Sequence, residues 1–279
     1  MIVTLVCSLG AHATAADEQR AETPRSLFDQ KFVVAFGGFF PTIESTLSYD
    51  GSDGTPGSEI DLSDDLGLNE FSASVWAGLN WRFLPRHQLQ IEWFQLNQSG
   101  DATAVRDFTF GDTTISVGAA LSSKLDFNLG RITYGYALLR DEKYQFSLMA
   151  GAHIATAKAT VTATGQLSVG GGPPFTGTQT ESTSTYTFPL PHLGGQFTYE
   201  FAPRWALQLT LLAFALELSD YKGTLIEADG SVAYQLSEHF GLGAGIKYFN
   251  LNLRAKRSGG GAEFDYQFLG PAVFGYIPF

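Results

Sequence analysis

The sequence predicts an all-β fold, a single antiparallel transmembrane β-barrel of about ten strands, with eight or twelve as the alternatives. Two observations predict it. Apolar and polar residues alternate with period two along most of the chain, as they do when one face of each strand is buried in an apolar phase. The connections between these strands alternate between very short and longer ones. This alternation is typical of the two ends of a membrane barrel.

Composition excludes several other classes of protein. The formal net charge is −11, and phosphate binding needs clustered Lys and Arg, so we expect no nucleic-acid partner. Aromatic residues make up 14% of the chain and there are 31 glycines, a mixture that suits strands and tight turns. No apolar run reaches the ~18 residues of a transmembrane helix. If the chain crosses a membrane, strands must cross it.

The N-terminus resembles a targeting segment. An apolar stretch at residues 2–9 is followed by small residues from Ala11 to Ala16 and then by Asp17, the pattern of a signal peptide with its cleavage site. Cleavage would remove Cys7, the one cysteine, which agrees with export. The predicted domains are a signal peptide at 1–16, a periplasmic lead at 17–30 and a transmembrane barrel at 31–279.

The alternation is clearest around residue 80, where Val75, Leu79 and Trp81 share one face and Arg82 lies on the other. It changes phase near Gly130. Leu125, Phe127 and Leu129 precede this glycine, whereas Ile132, Tyr134 and Tyr136 follow it with the opposite parity. Such a slip predicts a β-bulge at Gly130.

The connections fall into two alternating classes. Those at Pro85, Asp141, Pro203 and Glu238 are short, whereas the connections at 50–70, 100–114, 166–182, 219–223 and 257–262 are mostly longer and richer in Gly, Ser, Thr and Asp. This asymmetry indicates periplasmic turns and extracellular loops. Aromatic residues crowd the short turns and predict an interfacial girdle: Trp81, Phe83, Tyr144, Tyr199, Phe201, Trp205, Tyr234 and Phe240.

The last segment, Leu269 to Phe279, resembles the C-terminal signature of bacterial outer-membrane β-barrel proteins. In that superfamily a terminal aromatic follows alternating apolar residues, here Phe279 and Ile277, and is read by the barrel-insertion machinery; Pro271 and Pro278 depart from the pattern. The resemblance implies a Gram-negative outer-membrane location. It also implies the lipid bilayer and lipopolysaccharide as surroundings, with periplasmic chaperones and the insertion machinery as partners during biogenesis.

A soluble sandwich or a lipocalin-like barrel is the alternative fold. In that fold the apolar faces would point inward and the charged faces outward. We favour the membrane barrel because a polar lumen tolerates the charges on the second face, whereas a dry core would not. A ring of about ten strands is narrow, so we expect side chains to fill it as a self-neutralised polar network. The predicted network comprises Arg82, Glu92, Lys124, Asp126, Arg131, His153, His192, Glu217, Glu227, Asp229 and Lys247.

Two histidines are the sharpest candidates within this network. If a hairpin is centred near Gly172 and Pro173, His153 and His192 lie almost opposite each other at mid-depth, with Arg131 near the same level. Two imidazoles could ligate a metal, shuttle a proton or orient a nucleophile. No third ligand is spaced to complete a metal site, so we expect neither a metal nor a cofactor.

Motifs of known barrel enzymes are missing from the sequence. Omptin proteases carry an Asp-x-His, which does not occur here, and lipid A deacylases carry a His-x-Ser, whereas His239 is followed by Phe240 and Gly241. The acidic loop around Asp61 lacks the spacing of an EF-hand, so a solvated loop is preferred over a Ca²⁺ site.

The sequence therefore predicts a porin-like membrane protein that is not an enzyme. It would be structural, or would pass a small solute, which could be apolar, through a narrow, polar-lined lumen. A surface enzyme that acts on lipid or peptide through the histidine pair is one alternative, and an adhesin that acts through its loops is the other.

Overall fold

Fifteen strands and no helix make up the described part of the chain. The structure is a computed structural model and describes residues 30–52, 55–183, 186–217, 221–257 and 260–279. The predicted signal peptide at 1–16 and all of the predicted lead except Gln30 lie outside the described residues. None of the described residues forms a helix able to span a membrane. The strands are β1 (Phe32–Phe39), β2 (Thr42–Tyr49), β3 (Glu59–Asp61), β4 (Ser74–Leu84), β5 (His87–Thr103), β6 (Phe108–Phe110), β7 (Thr113–Ile115), β8 (Ala120–Arg140), β9 (Tyr144–Val169), β10 (Phe175–Ser182), β11 (Tyr186–Ala202), β12 (Trp205–Glu217), β13 (Tyr221–Ser237), β14 (Phe240–Arg257) and β15 (Gly260–Pro278).

The long strands close into an antiparallel ring. Their order is β1-β4-β5-β8-β9-β11-β12-β13-β14-β15, and β15 pairs back onto β1 from Val33↔Pro278 to Phe39↔Ala272. After an interruption at Phe40 and Pro41, β2 continues β1 along the same neighbour, β15. About ten strand positions thus form the wall of the ring, which confirms the predicted all-β barrel.

Short turns lie at one end of the ring, as the sequence predicts, but at the other end the described residues of the predicted loops at 219–223 and 257–262 belong to strands. Short turns join the strands at 85–86, 141–143, 203–204 and 238–239. The short strands β3, β6, β7 and β10 all lie at the opposite end. The segment 166–182, predicted as a loop, is instead the tip of a long hairpin, because β10 pairs with β9 from Phe175↔Leu167 to Ser182↔Thr160. We call the two ends the short-turn end and the long-loop end, periplasmic and extracellular by the rule for such barrels.

An apolar belt surrounds the half of the ring next to the short turns. Large apolar side chains there face outward and are exposed, among them Ile91, Leu148, Leu211 and Val273. The residues of the predicted aromatic girdle lie on this outer surface, where Trp205 packs against Tyr234 with ring centroids 4.7 Å apart. A belt of this kind on a closed ring is the surface that a barrel presents to lipid.

The predicted bulge at Gly130 is wrong. Strand β8 pairs with β9 without a register shift from Ala120 to Ala137, and the shift lies between Ala137 and Leu139 instead. Phe127 and Arg131 therefore both point inward, while Asp126 and Ile132 both point outward. The odd-numbered residues of β8 point inward on both sides of Gly130. What changes at Gly130 is the polarity of the two faces of the strand.

The same inversion occurs at the same level on other strands. On β5 the outward side chains change from Ile91 and Trp93 to Gln95, while the inward ones change from Glu92 to Leu96. On β14 the exposed Ile246 is followed on the outer face by Tyr248 and Asn250, and the inward Lys247 is followed by the buried Phe249. The membrane therefore ends at this level, and the barrel continues beyond it into water.

Beyond the membrane the interior of the ring is a packed apolar core. Phe249 stacks on Phe268 at 4.9 Å and Phe127 stacks on Tyr266 at 4.4 Å. The loop between β2 and β4 adds further apolar side chains to this core, so its top is covered as well. The buried apolar residues include Phe39, Ile43, Leu47, Ile60, Leu62, Leu66, Leu68, Leu96, Phe108, Phe110, Ile115, Leu121, Leu125, Phe127, Leu129, Val161, Leu167, Leu190, Leu225, Phe249, Leu251, Leu253, Phe264, Tyr266 and Phe268.

A matched pair of lysine substitutions tests where the membrane ends. Leu148 and Thr156 both lie on the outer face of β9, below and above the inversion. We expect Leu148→Lys to lower the free energy of unfolding by about 2–4 kcal/mol, the cost of a lysine near the bilayer midplane. Thr156→Lys should change it by less than about 1 kcal/mol, since its side chain reaches water. Denaturant unfolding in lipid vesicles measures both, and equal losses would contradict the inversion.

Candidate functional site

The lumen inside the membrane half contains a layer of glutamines near the short turns. Gln88 Nε2 and Gln90 Nε2 both donate to Gln196 Oε1, at 3.1 and 3.0 Å, and Gln196 Nε2 donates to Thr210 Oγ1 at 3.2 Å. Arg82 Nη2 donates to Gln88 Oε1 at 3.1 Å. Of this layer, Arg82 alone is among the predicted lumen residues. Gln88 and Gln90 have the same inward parity as Glu92 along β5, and this parity could have identified them.

A charged layer lies directly above the glutamines, and Arg131 is at its centre. The guanidinium forms ion pairs with Glu92 and Glu227, and its Nη1 lies 3.8 Å from Asp229 Oδ2. Arg131 is only 4% exposed. A guanidinium with several donors in a fixed plane can hold carboxylates from different strands at once, so this residue ties β5 and β13 together across the lumen.

Lys247 completes the charged layer. Its Nζ lies 3.1 Å from Asp229 Oδ2 and 3.4 Å from Glu92 Oε2, and it sits 5.3 Å from the centre of the Trp76 ring. Each of its two carboxylate partners is thus also near Arg131. The layer is a closed network in which buried charges are partnered, as burial requires.

The three carboxylates of this layer could in principle hold a cation. Oxygens of Glu92, Glu227 and Asp229 all lie within 4.8 Å of one another, the one such group of metal-ligating residues among the described residues. The guanidinium of Arg131 and the ammonium of Lys247 already contact these oxygens. A metal ion would have to displace two side-chain cations, so the donor set does not fit a resident metal.

The histidines extend the network as a directed chain of hydrogen bonds. His153 Nε2 lies 2.5 Å from Glu227 Oε2, the two Nδ1 atoms of His153 and His192 lie 3.0 Å apart, and His192 Nε2 lies 3.0 Å from Thr133 Oγ1. A carboxylate can only accept, so His153 Nε2 donates to it. With neutral rings, His192 Nδ1 then donates to His153 Nδ1, and the Thr133 hydroxyl donates to His192. One assignment of protons satisfies every contact.

Local sequence makes room for this chain. The two histidines are not directly opposite in register, since His153 pairs with Leu190 and His192 pairs with Gly151. A Cβ on Gly151 would lie 2.9 Å from His192 Nε2 and closer still to the Ile132 carbonyl oxygen. Glycine at this position lets the imidazole lie against the backbone of β9, where it can reach both His153 and Thr133.

The structure brings most of the predicted network together. Glu92, Arg131, His153, His192, Glu227, Asp229 and Lys247 form the charged layer, and Arg82 lies in the glutamine layer below it. Lys124, Asp126 and Glu217 do not lie in the lumen. Lys124 and Asp126 point outward above the membrane, because β8 does not bulge, and Glu217 is exposed and pairs with Lys222 at 3.4 Å.

The acidic loop residues serve the local structure. Asp61 Oδ1 accepts from the backbone N–H groups of Ser63 and Asp64, both at 2.9 Å, and Asp65 forms a 2.6 Å ion pair with Arg106. Asp50 accepts from the backbone N–H of Gly57 at 3.0 Å. These carboxylates point to separate partners and do not converge, while Asp53 lies outside the described residues.

A cavity of about 190 Å³ lies between the charged layer and the short-turn end. Small side chains leave this space: Ala35, Gly78, Ala206, Ser231, Ala233, Gly245 and Ala272. Two aromatic rings of β15 fold across the glycines of β14, since a Cβ on Gly241 or Gly243 would collide with the ring of Tyr276 or Phe274. Gln208 also lines the cavity and is exposed, so the cavity opens toward the short turns.

Comparisons with known proteins support the fold. No protein-family model and no curated protein sequence matches the chain. Among solved structures, the outer-membrane protease OmpT of Escherichia coli is similar at 14% identity with a TM-score of 0.52, over 88% of this chain and 96% of that one.

Two other solved structures superpose more loosely. The toluene transporter TodX of Pseudomonas putida is 10% identical, with a TM-score of 0.39 over 92% of each chain. Ail, the attachment invasion locus protein of Yersinia pestis, is 9% identical, with a TM-score of 0.30 over 88% of this chain and 98% of that one. The chain has the fold of the bacterial outer-membrane β-barrel proteins. The similarity to OmpT shows this fold and no activity.

Substitution of the central arginine tests the charged layer. Arg131→Met should lower the free energy of unfolding by about 3–5 kcal/mol, because it removes the guanidinium that pairs with the buried Glu227 and leaves Glu92 with Lys247 as its one cation partner among the described residues. Lys222→Met is the matched control: it breaks the exposed pair with Glu217 and should cost at most about 1 kcal/mol. Denaturant unfolding in vesicles compares them. A loss for Arg131→Met no larger than the control's would contradict the network.

Proposed function

We propose that the chain is a non-enzymatic outer-membrane barrel that is closed toward the cell surface and open toward the periplasm. The observation that carries this proposal is the apolar core of the long-loop half. The layer of this core next to the charged layer consists of aromatic rings from several strands, whose centroids lie 4.9 to 6.5 Å apart: Phe39, Phe94, Phe127, Phe249 and Phe268. Water and ions have no polar path through such a core.

The closed core disfavours one of the functions that the sequence leaves open, the passage of a solute through the barrel. Passage of a solute along a polar-lined lumen needs a continuous lumen, and the polar lining here ends at the charged layer. A closed barrel instead suits a structural protein, or one that holds a small molecule on its periplasmic side. Transport would require the aromatic layer to move first.

The burial of the histidine pair argues against a surface enzyme. His153 is 0% and His192 2% exposed, and an apolar core lies between them and the long-loop end. A lipid or peptide at the cell surface could not reach them without unfolding that core. The hydrogen-bond chain from Thr133 to Glu227 therefore orients and satisfies buried groups.

Adhesion through the loop at residues 50–66 receives less support than closure. Three of the loop's apolar residues, Ile60, Leu62 and Leu66, are at most 1% exposed and belong to the core. Much of the loop thus covers the top of the barrel. Its deletion would uncover apolar surface, and loss of binding after that deletion could not be separated from loss of the cover.

Planar-bilayer recording tests closure directly. The full mature chain, inserted into a bilayer, should show no steady ionic conductance, because the aromatic layer blocks the lumen. Steady conductance of the unaltered chain would overturn the proposal, and its folding is checked by its shifted migration in cold detergent relative to a boiled sample.

A further inference from the structure

We propose that the lumen cavity is a binding site for a compact, neutral, apolar molecule of about one six-membered ring. This inference deepens the proposed function and rests on it, since closure toward the surface makes the periplasm the side from which the molecule enters. The cavity lies below the charged layer, and the exposed Gln208 lies near its mouth. Most of the wall that a ligand could touch is carbon.

Small apolar side chains form much of this wall. Val33 and Ala35 on β1, Ala206 on β12, Ala233 on β13 and Ala272 on β15 all line the cavity. Their strands are neighbours in the ring, which runs from β12 through β13, β14 and β15 to β1. These side chains therefore make one continuous arc of carbon, and most of them are methyl groups that leave the space open.

Three aromatic side chains complete the arc. The rings of Phe274 and Tyr276 lie directly over the backbone of Gly243 and Gly241, because a Cβ there would collide with them. Trp76 Nε1 and the Tyr276 hydroxyl are covered by protein, so both residues present ring carbons to the cavity. Trp76 and Phe274 meet edge to face with centroids 5.7 Å apart. Aromatic rings favour offset and edge-to-face contacts, so a further ring can pack against this pair.

Polar side chains on the other part of the wall already bond within the protein. Gln90 Nε2 donates to Gln196 Oε1 at 3.0 Å, and Gln196 Nε2 donates to Thr210 Oγ1 at 3.2 Å. Both Gln90 and Thr210 line the cavity. Because these groups find their partners in the glutamine layer, a ligand gains little from polar atoms of its own, and it would lose their hydrogen bonds to water on entry.

The charged roof of the cavity disfavours an ionic ligand. Lys247 Nζ lies 3.1 Å from Asp229 Oδ2 and 3.4 Å from Glu92 Oε2, and Glu92 also pairs with Arg131. Each of these lining charges thus has an opposite charge beside it. An ionic ligand would add an unbalanced charge to this set, in a place where desolvation of charges is expensive. A neutral apolar molecule adds none.

The volume of the cavity agrees with a single ring. An apolar cavity of about 150 Å³ holds benzene, and this cavity, at about 190 Å³, has room for a ring with a small substituent. A water molecule is held firmly only where roughly two to four polar partners surround it, and the carbon arc offers none. Displacement of water from this arc by an apolar molecule is favoured by the hydrophobic effect.

Fluorine NMR on the full mature chain in a phosphocholine detergent tests the site. Fluorobenzene is the apolar probe, 4-fluorobenzoate the anionic, 4-fluorobenzylamine the cationic and 2-fluoro-2-deoxyglucose the hydroxyl-rich probe, so that each carries a single ring and a single fluorine. We expect saturable binding of fluorobenzene with a Kd of about 0.1–1 mM, the range that about seven non-hydrogen atoms can supply. The other three should bind at least about tenfold more weakly, because they lose hydration that the wall does not replace.

Two substitutions on one strand separate binding in the cavity from partition into the detergent. Ala233 lines the cavity and pairs with Ala206, whereas Ala228 faces outward and pairs with Leu211. Ala233→Leu should weaken fluorobenzene binding at least about tenfold, because it fills the space. Ala228→Leu adds the same atoms to the outer face and should leave binding unchanged. Probe dissolved in the detergent is common to both samples, and folding of both variants is checked by migration in cold detergent.

Nuclear Overhauser effects between probe and protein locate fluorobenzene in the unaltered chain, which keeps the inference testable if Ala233→Leu fails to fold. With ¹³C-labelled alanine methyl groups, the ring protons should give cross-peaks to the lumen methyls of Ala35, Ala233 and Ala272. Cross-peaks to outward methyls such as that of Ala228, without any to the lumen methyls, would place the probe in the detergent and overturn the inference.

Three further results would overturn it: no saturable fluorobenzene signal, so that the cavity holds water only; equal binding by the folded Ala233→Leu and Ala228→Leu variants; or tighter binding of the sugar or of a charged probe. The conductance experiment is independent of these. A barrel that conducts yet binds fluorobenzene would overturn closure and keep the site, and a sealed barrel without binding would do the reverse.

Discussion

Every strand of this barrel passes through two surroundings, and that constraint shapes the rest of the molecule. Near the short turns the outer face meets lipid and must be apolar, and near the long loops it meets water and can be polar. Since side chains alternate along a strand, the inner face is free to take the opposite character at each level. The interior is accordingly polar where the outside is lipid and apolar where the outside is water.

The polar half of the interior depends on mutual satisfaction of its charges. A buried ion pair of this kind adds little stability compared with apolar packing. The folded protein is nevertheless strongly destabilised when one partner of the pair is lost, because the other charge stays buried without a partner. Arg131 is the central member, because it contacts all three carboxylates, Glu92, Glu227 and Asp229. An apolar filling could have closed the lumen completely. The network instead leaves space beneath it, and this space is the cavity.

The sequence predicts the ring, its short turns, its outer belt and most of the charged layer, since all of these follow from period-two alternation. It fails at Gly130, where the apolar residues change parity. A bulge and an inversion of polarity produce the same pattern of letters, and they differ only in whether Phe127 and Arg131 share a face. The incorrect choice also put Lys124 and Asp126 in the lumen. The glutamine layer and the cavity were not predicted, because the cavity depends on which small residues of different strands come to lie at one level.

The two halves of the interior have complementary consequences. The apolar core fixes the long-loop end by ordinary close packing, and it also separates the charged layer from the cell surface. In the proposed closed barrel, solvent reaches the lumen past the short turns. The cavity lies on this side of the core, in a space opened by alanines and glycines. The inversion that keeps the barrel in its membrane therefore also decides from which compartment its cavity can be filled.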